Sequence, residues 1–318
     1  MYPRGVKMNM KKIVVAGGGV LGSQIALQSA FCGFDVTIWL RSEGSIERAQ
    51  LKLLRLKEIY LNTLEAMKTN PAAYCRGFSC ENELSADKIN ELKQKVEDAY
   101  DSITLTTSYE EAGNDADLII EAIAEDPKQK IAFYQELAKH IPEKTIIATN
   151  SSTMLPSAFA QYTGRPEKYL ALHFANEIWR NNTAEIMGHP DTGQEYYDAV
   201  CEFAENINMI PLKLKKEQPG YILNSMLVPF LSAAEALYAD GVADFETIDK
   251  TWMLATGAPL GPFRILDVVG LTTAYNIGMM NPKASDPDTI EGKVAAMLKE
   301  KIDAGKTGIN SGEGFYKY

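Results

Sequence analysis

Three histidines occur in this chain of 318 residues, so each can be weighed as an acid–base group. His140 falls near the end of a helix-like segment, where an imidazolium suits the helix dipole, and His189 sits in a Gly-His-Pro-Asp turn; both read as structural. His173 is different. It stands in the apolar run Tyr169-Leu170-Ala171-Leu172-His173-Phe174, at the C-terminal end of an expected strand, the edge at which open α/β sheets keep their ligands. A histidine there can take a proton from a hydroxyl when a carboxylate fixes its tautomer and stabilises the imidazolium. Glu185, in the next strand-like segment Ala184-Glu185-Ile186-Met187, is the nearest candidate in sequence. The competing reading is an ordinary core histidine.

A second constellation precedes it. Lys12-Ile13-Val14-Val15-Ala16-Gly17-Gly18-Gly19-Val20-Leu21-Gly22 sets an apolar run directly before Gly-x-Gly-x-x-Gly. In such a turn Gly17 allows the tight bend, Gly19 lets backbone approach a pyrophosphate, and Gly22 lets the helix opened by Val20 and Leu21 pack on the strand. The helix N-terminus then faces the phosphates. Val20 to Phe31 is helical in period and Asp35-Val36-Thr37-Ile38-Trp39-Leu40 reads as a strand, which completes a βαβ unit of about 30 residues. Dinucleotide binding is the reading. A carboxylate about 20 residues past the glycines normally bonds the adenosine ribose, but here the chain runs Leu40-Arg41-Ser42. Arg41 with Ser42 could hold a 2′-phosphate instead, so NADP stands open beside NAD, with Glu43 as a ribose ligand if the register slips. Arg41 as a plain surface residue is the remaining alternative.

The elements that must position these groups alternate. Ile103-Thr104-Leu105, Leu118 to Ile123 and Thr145 to Thr149 read as strands, with a helix from Pro127 to His140 before the last; Met209 to Leu214 is another strand. That is the pattern of a mostly parallel, doubly wound sheet. Between the second and third strands, residues 45–100 predict a helical hairpin projecting from the sheet, with Arg48, Lys52 and Arg55 on one face, either an anion-binding row or a solvated one. From Pro219-Gly220 onward only helices are expected: Tyr221 to Ala239, Thr247 to Thr256, Pro262 to Val269 and Thr289 to Ala304. Two domains follow, 11–217 and 218–318.

Composition narrows the function class. A formal charge of −10 argues against nucleic acid as a partner, because phosphate backbones need a basic face. No run approaches the roughly 18 apolar residues that span a membrane, and Met1 to Lys7 lacks the apolar stretch of a signal peptide, so a cytoplasmic protein is expected. Met1, Met8 and Met10 mark the first ten residues as a start-site extension. Cys32, Cys75, Cys80 and Cys201 show neither metal-ligand spacing nor a disulfide framework; reduced thiols and no metal are expected.

Seven motifs in order carry a resemblance: Gly17-x-Gly19-x-x-Gly22, Glu121-Ala-Ile-Ala-Glu125, Asn150-Ser151-Ser152, Leu172-His173-Phe174-Ala175-Asn176, Pro219-Gly220-Tyr221-Ile222-Leu223-Asn224, Gly261-Pro262-Phe263 and Gly312-Glu313-Gly314-Phe315-Tyr316. From Lys12 to Tyr318 the chain resembles the L-3-hydroxyacyl-CoA dehydrogenase family, which includes 3-hydroxybutyryl-CoA dehydrogenases. The resemblance implies a Rossmann-type NAD domain whose inserted hairpin helps bind coenzyme A, then a helical domain that makes a homodimer. It implies reversible hydride transfer between a 3-hydroxyacyl thioester, expected to be of short chain, and the nicotinamide. His173 would be the general base and Glu185 its orienting carboxylate. Ser152 and Asn224 would bond the reacting oxygen, and Glu125, Lys130, Asn150, Ser152 and Asn176 would lie along the cofactor.

Three departures qualify the resemblance. Leu40 and Arg41 replace the usual acid. The family's Phe-Phe-Asn-Pro after the histidine becomes Phe174-Ala175-Asn176-Glu177, followed by a polar loop to Thr183, which reads either as a pocket for a short or polar acyl group or as solvent-facing. Asn310 stands where many relatives place a cofactor-facing lysine. Relatives of the family include an L-gulonate dehydrogenase working without coenzyme A and a lens crystallin, so a sugar-acid dehydrogenase and a non-enzymatic or NADP-sensing protein are the alternatives.

Overall fold

The computed structural model describes residues 10–318. The expectations about a start-site extension and a missing signal peptide fall on residues outside that range. Eight strands form one sheet: β1 (Lys12–Ala16), β2 (Asp35–Trp39), β3 (Thr104–Thr106), β4 (Leu118–Glu121), β5 (Ile146–Thr149), β6 (Tyr169–Phe174), β7 (Thr183–Met187) and β8 (Ile210–Lys213). Their order is β3-β2-β1-β4-β5-β6-β7-β8. The first six run parallel, β7 turns antiparallel to β6, and β8 pairs parallel with β7.

Unbroken apolar strands require both faces covered, and they are. Ile13 and Val15 of β1 join one buried cluster with Ile25, Val36, Ile38 and Leu118, whereas Val14 and Ala16 point into another with Ile119, Phe133 and Ile147. The covering helices of this unit are α1 (Val20–Phe31), α2 (Glu43–Met67), α3 (Ala86–Ser102), α4 (Tyr109–Gly113), α5 (Pro127–Leu137) and α6 (Gln194–Asn206). Local caps set where they begin: Ser85 Oγ accepts from Lys88 N at the start of α3, and Asp126 Oδ1 accepts from Gln129 N at the start of α5, with Pro127 in the first turn.

The expected inserted hairpin is formed by α2 and α3. Helices α2 and α3 pack on α1, because their apolar stripes Leu53, Leu56, Tyr60 and Leu64, and Ile89, Leu92 and Val96, are buried in the same core cluster as Ile25 and Phe31. Gln28 of α1 locks the junction, accepting from Tyr60 Oη at 2.9 Å and donating to the carbonyls of Gly77 and Ile207.

The chain divides into two compact units after Ile222, later than the expected boundary at 217/218. The reason is Tyr221, which is buried with Ala171 and Met187 and so keeps the segment 218–222 on the sheet. The second unit holds α7 (Leu223–Ala239), α8 (Phe245–Thr256), α9 (Pro262–Val269), α10 (Leu271–Gly278) and α11 (Ile290–Asp303). Its core gathers Leu231, Phe263, Leu266, Leu271, Leu298 and Phe315. Helix α10, unforeseen in the sequence, follows Gly270, whose φ of +90° lets the chain turn out of α9.

Candidate active site

His173 and Glu185 are register partners across β6 and β7, which puts both side chains on one face. Glu185 Oε2 lies 3.0 Å from His173 Nδ1, and both residues are buried. A carboxylate on Nδ1 holds the proton there, which leaves Nε2 as the acceptor. Ser152 Oγ sits 3.1 Å from that Nε2. Glu185 Oε1 in turn accepts the amide of Ile222 at 2.8 Å. Ser152 belongs to no helix, so it is not an N-cap.

Sequence reasoning gave Tyr221 no role. Its ring stacks on the His173 imidazole at 4.3 Å and 13°, and its hydroxyl donates to the Ser151 carbonyl at 2.7 Å. Burial pushes its phenol well above the ordinary range. Gly220 (φ +77°) and Tyr221 (φ +54°) are consecutive left-handed residues, an uncommon turn that lays the ring against the histidine. The Pro219-Gly220 pair was the available signal; the left-handed tyrosine was not legible.

A second buried carboxylate supports the neighbouring loop. Glu121, at the end of β4, accepts from Lys130 Nζ (2.6 Å), Tyr134 Oη (2.7 Å), Thr149 Oγ1 (2.8 Å) and Ile123 N (2.9 Å). Lys130, expected along the cofactor, is only 1% exposed and committed to this cluster, with Glu125 3.6 Å away. Glu125 itself accepts from Ser151 Oγ and from Ser152 N, both at 2.9 Å, and so fixes the serine next to the histidine. Asn150 Oδ1 accepts from Phe174 N, and Asn176 Oδ1 accepts from Gln24 Nε2 of α1. Asn224 lies in the first turn of α7, in the second unit.

The glycine turn has the shape that a dinucleotide needs. Gly17 has φ +119°, a Cβ at Gly22 would strike the Gly17 carbonyl, and a Cβ at Gly19 would meet nothing within 4 Å. The loop is therefore tight beneath and open above. Gly19 caps α1 without a side chain, which leaves the first amides of the helix free to face an anion. Leu40 is buried. Arg41 Nη1 donates to Gln129 Oε1 at 2.9 Å, whereas Ser42 Oγ pairs with Ser45 Oγ at 2.9 Å. The row Arg48, Lys52 and Arg55 is not a uniform face: Arg48 bonds Ser45, Lys52 reaches Gly18, and Arg55 is exposed.

The model of the 3-hydroxyacyl-CoA dehydrogenase NAD-binding domain matches residues 12–218, and that of the C-terminal domain matches 220–318. The chain belongs to the 3-hydroxyacyl-CoA dehydrogenase family. As a member it is an oxidoreductase acting on a CH–OH group, and its first unit is an NAD-binding domain. It is 30% identical to 3-hydroxybutyryl-CoA dehydrogenase of Clostridioides difficile over 96% of this chain and 99% of that one. It is 31% identical to the mitochondrial hydroxyacyl-coenzyme A dehydrogenase of Homo sapiens, over 98% and 92%. Among solved structures, a diketoreductase described as acting on dicarbonyl compounds is similar with a TM-score of 0.84 and 45% identity, over 98% of this chain and 100% of that one.

The departure from the 3-hydroxyacyl-CoA dehydrogenase pattern after the histidine has a conformational meaning. Glu177 has φ +57°, which proline cannot adopt, so the polar loop takes its own path. Its carbonyl accepts from Arg180 N and Asn181 N, and its carboxylate pairs with Arg180 in solvent. Trp179 points inward, with its ring 5.1 Å from that of Tyr60. The separate cavity of about 750 Å³ lined by His189, Tyr197, Lys213 and Lys216 lies at the other end of β6 and β7 from His173, because Met187, just before it, pairs with Ala171.

Proposed function

We propose that this protein interconverts a short-chain L-3-hydroxyacyl-CoA and its 3-oxoacyl-CoA by hydride transfer with NAD(P). The observation that carries this reading is the chain of contacts Glu185–His173–Ser152 at the sheet's C-terminal edge, the same edge that carries the glycine turn. When bound, the nicotinamide supplies the hydride acceptor.

His173 Nε2 takes the 3-hydroxyl proton as the hydride leaves, since the carbon cannot become a carbonyl while the oxygen keeps it. Glu185, held by Ile222 N, stabilises the imidazolium that forms. Ser152 donates to the reacting oxygen as its charge changes. Tyr221 keeps the imidazole ring in plane against water. Glu125 positions Ser152 through its backbone, and Glu121 with Lys130 anchors the strand ends beneath.

NADP(H) use is part of the proposal, supported by Leu40 at the place of the ribose-binding acid. The protein works as a homodimer; supporting this, Met226, Val242, Leu254, Val268 and Met280 of the second unit are each more than half exposed. It belongs in the cytoplasm, in keeping with four unpaired cysteines. No helix of the described residues is long and apolar enough to cross a membrane.

The test is oxidation of NADH and of NADPH with acetoacetyl-CoA as acceptor, with His173→Gln as control. Rapid, His173-dependent turnover supports the reading; none with either cofactor overturns the acyl-CoA substrate. A second reading has its own support. The 45% identity to the diketoreductase, over 98% of this chain, favours a dicarbonyl substrate, to which NAD(P)H would give the hydride and His173 the proton. A free 1,3-diketone in the same assay separates the two.

A further inference from the structure

Residues 45, 48, 49 and 52 share one face of α2, and that face lies against the glycine turn. Ala49 is the contact: a Cβ on Gly18 would meet its Cβ at 2.7 Å. On one side of Ala49, Lys52 Nζ donates to the Gly18 carbonyl at 3.2 Å. On the other, Arg48 Nη2 donates to Ser45 Oγ at 2.8 Å, and Ser45 Oγ pairs with Ser42 Oγ. Arg41 is turned elsewhere, to Gln129. Glu43, the carboxylate that follows Ser42, accepts from Thr107 Oγ1 at 2.9 Å. Ser42 caps α2 without a side-chain bond to it, and its carbonyl takes the amide of Ser45 at 2.8 Å.

We propose that Arg48 and Lys52 are cofactor phosphate ligands, not part of a coenzyme A surface: Arg48, with Ser42 and Ser45, takes the 2′-phosphate of NADP(H), and Lys52 takes the diphosphate over Gly18 and Gly19. A 2′-phosphate is a dianion with three acceptor oxygens, and it calls for a guanidinium, hydroxyl donors and no carboxylate in the ribose-binding place. Two hydroxyls 2.9 Å apart beneath an arginine, beside a buried Leu40, meet those needs. Lys52 stands where Gly19 leaves open space, and its point charge suits the diphosphate of either cofactor.

The inference rests on the dehydrogenase reading and deepens it, so its test is binding without substrate. Dissociation constants for NADPH and NADH are measured on the full chain and on Arg48→Ala and Lys52→Ala, both exposed positions whose truncation leaves the core intact. Arg48→Ala should weaken NADPH by about tenfold or more and NADH by less than about threefold, the loss of one charge-assisted pair. Lys52→Ala should weaken both cofactors by a similar factor. Neither should move the KM for acetoacetyl-CoA more than about twofold.

An unchanged NADPH constant in Arg48→Ala overturns the 2′-phosphate site. A raised KM for acetoacetyl-CoA with unchanged cofactor binding returns both residues to the acyl-CoA. Turnover with NADH and no binding of NADPH overturns the assignment of Arg48 while the dehydrogenase reading stands. If the unaltered chain binds neither cofactor, that reading falls and this inference with it.

Discussion

The two units bury carboxylates in opposite company. In the first, Glu121 faces the ammonium of Lys130 and Glu185 faces the imidazole of His173. In the second, Asp249 accepts from the amides of Phe263 and Arg264 and from Tyr316 Oη, and Asp267 accepts from the amides of Phe315 and Tyr316 and from Tyr318 Oη. Backbone amides and tyrosine hydroxyls are fixed donors, so Asp249 and Asp267 tie the chain's last residues to α8 and α9. A lysine or histidine partner can shift charge or move a proton. The contrast sets carboxylates held by fixed donors apart from those that face a lysine or a histidine.

The largest expected effect tests the chemical side. His173→Gln should lower turnover by about 10²–10⁴-fold, the ordinary worth of a general base, while cofactor affinity stays within about threefold. Glu185→Gln should lower turnover in the same direction, read as kcat against KM. A loss of cofactor affinity in place of turnover would place this pair with the structural carboxylates.

Glu121→Gln should act on stability: leaving Lys130 in the interior with only Glu125, 3.6 Å away, costs up to roughly 3–5 kcal/mol, measured by denaturant unfolding. Full stability with lost turnover would move Glu121 to the chemical side.

The second unit holds one carboxyl that fits neither class. Burial alone raises Glu235 to about 7, and its Oε1 has no partner among the described residues. Its folded value exceeds its unfolded one, so the folded state binds the extra proton and gains stability below the ordinary glutamate range. That contribution is lost as pH rises from there through 7. Glu235→Gln should therefore raise the melting temperature at pH 8 and leave it unchanged near pH 4. The smallest effect is expected for Asp267→Asn, about 2 kcal/mol for weakened charge-assisted bonds. It should lower stability and leave the constants for NADPH unchanged; a change in those constants would blur the division between the units.

Much of this was legible in the residues. The unbroken runs of β1, β4 and β6 announced strands of a parallel sheet, and Glu185 was the nearest carboxylate candidate for His173, although only the register of β6 against β7 pairs them. Less legible were the groups whose partners lie far along the chain. Glu121 looked like one letter of a motif; only the convergence of Lys130, Tyr134 and Thr149 made it a hub. Lys130 was expected along the cofactor, and only the fold shows that its side chain is buried against Glu121. Tyr221 became the ring behind the histidine through a left-handed turn that no propensity predicts for tyrosine.

By itself, the sequence determined the dinucleotide turn, the alternation of strand and helix, the candidate acid–base residue and the absence of a carboxylate at position 40, because each depends on residue type at short spacing. Tertiary structure alone decided which cation faces what. Arg41 and Arg48 are equivalent as letters, and their separation arises from the packing of Ala49 on Gly18. That contact rolls one face of α2 onto the glycine turn and leaves Arg41 to Gln129, because close packing of backbone on backbone sets the rotation of a helix and carries its charges with it.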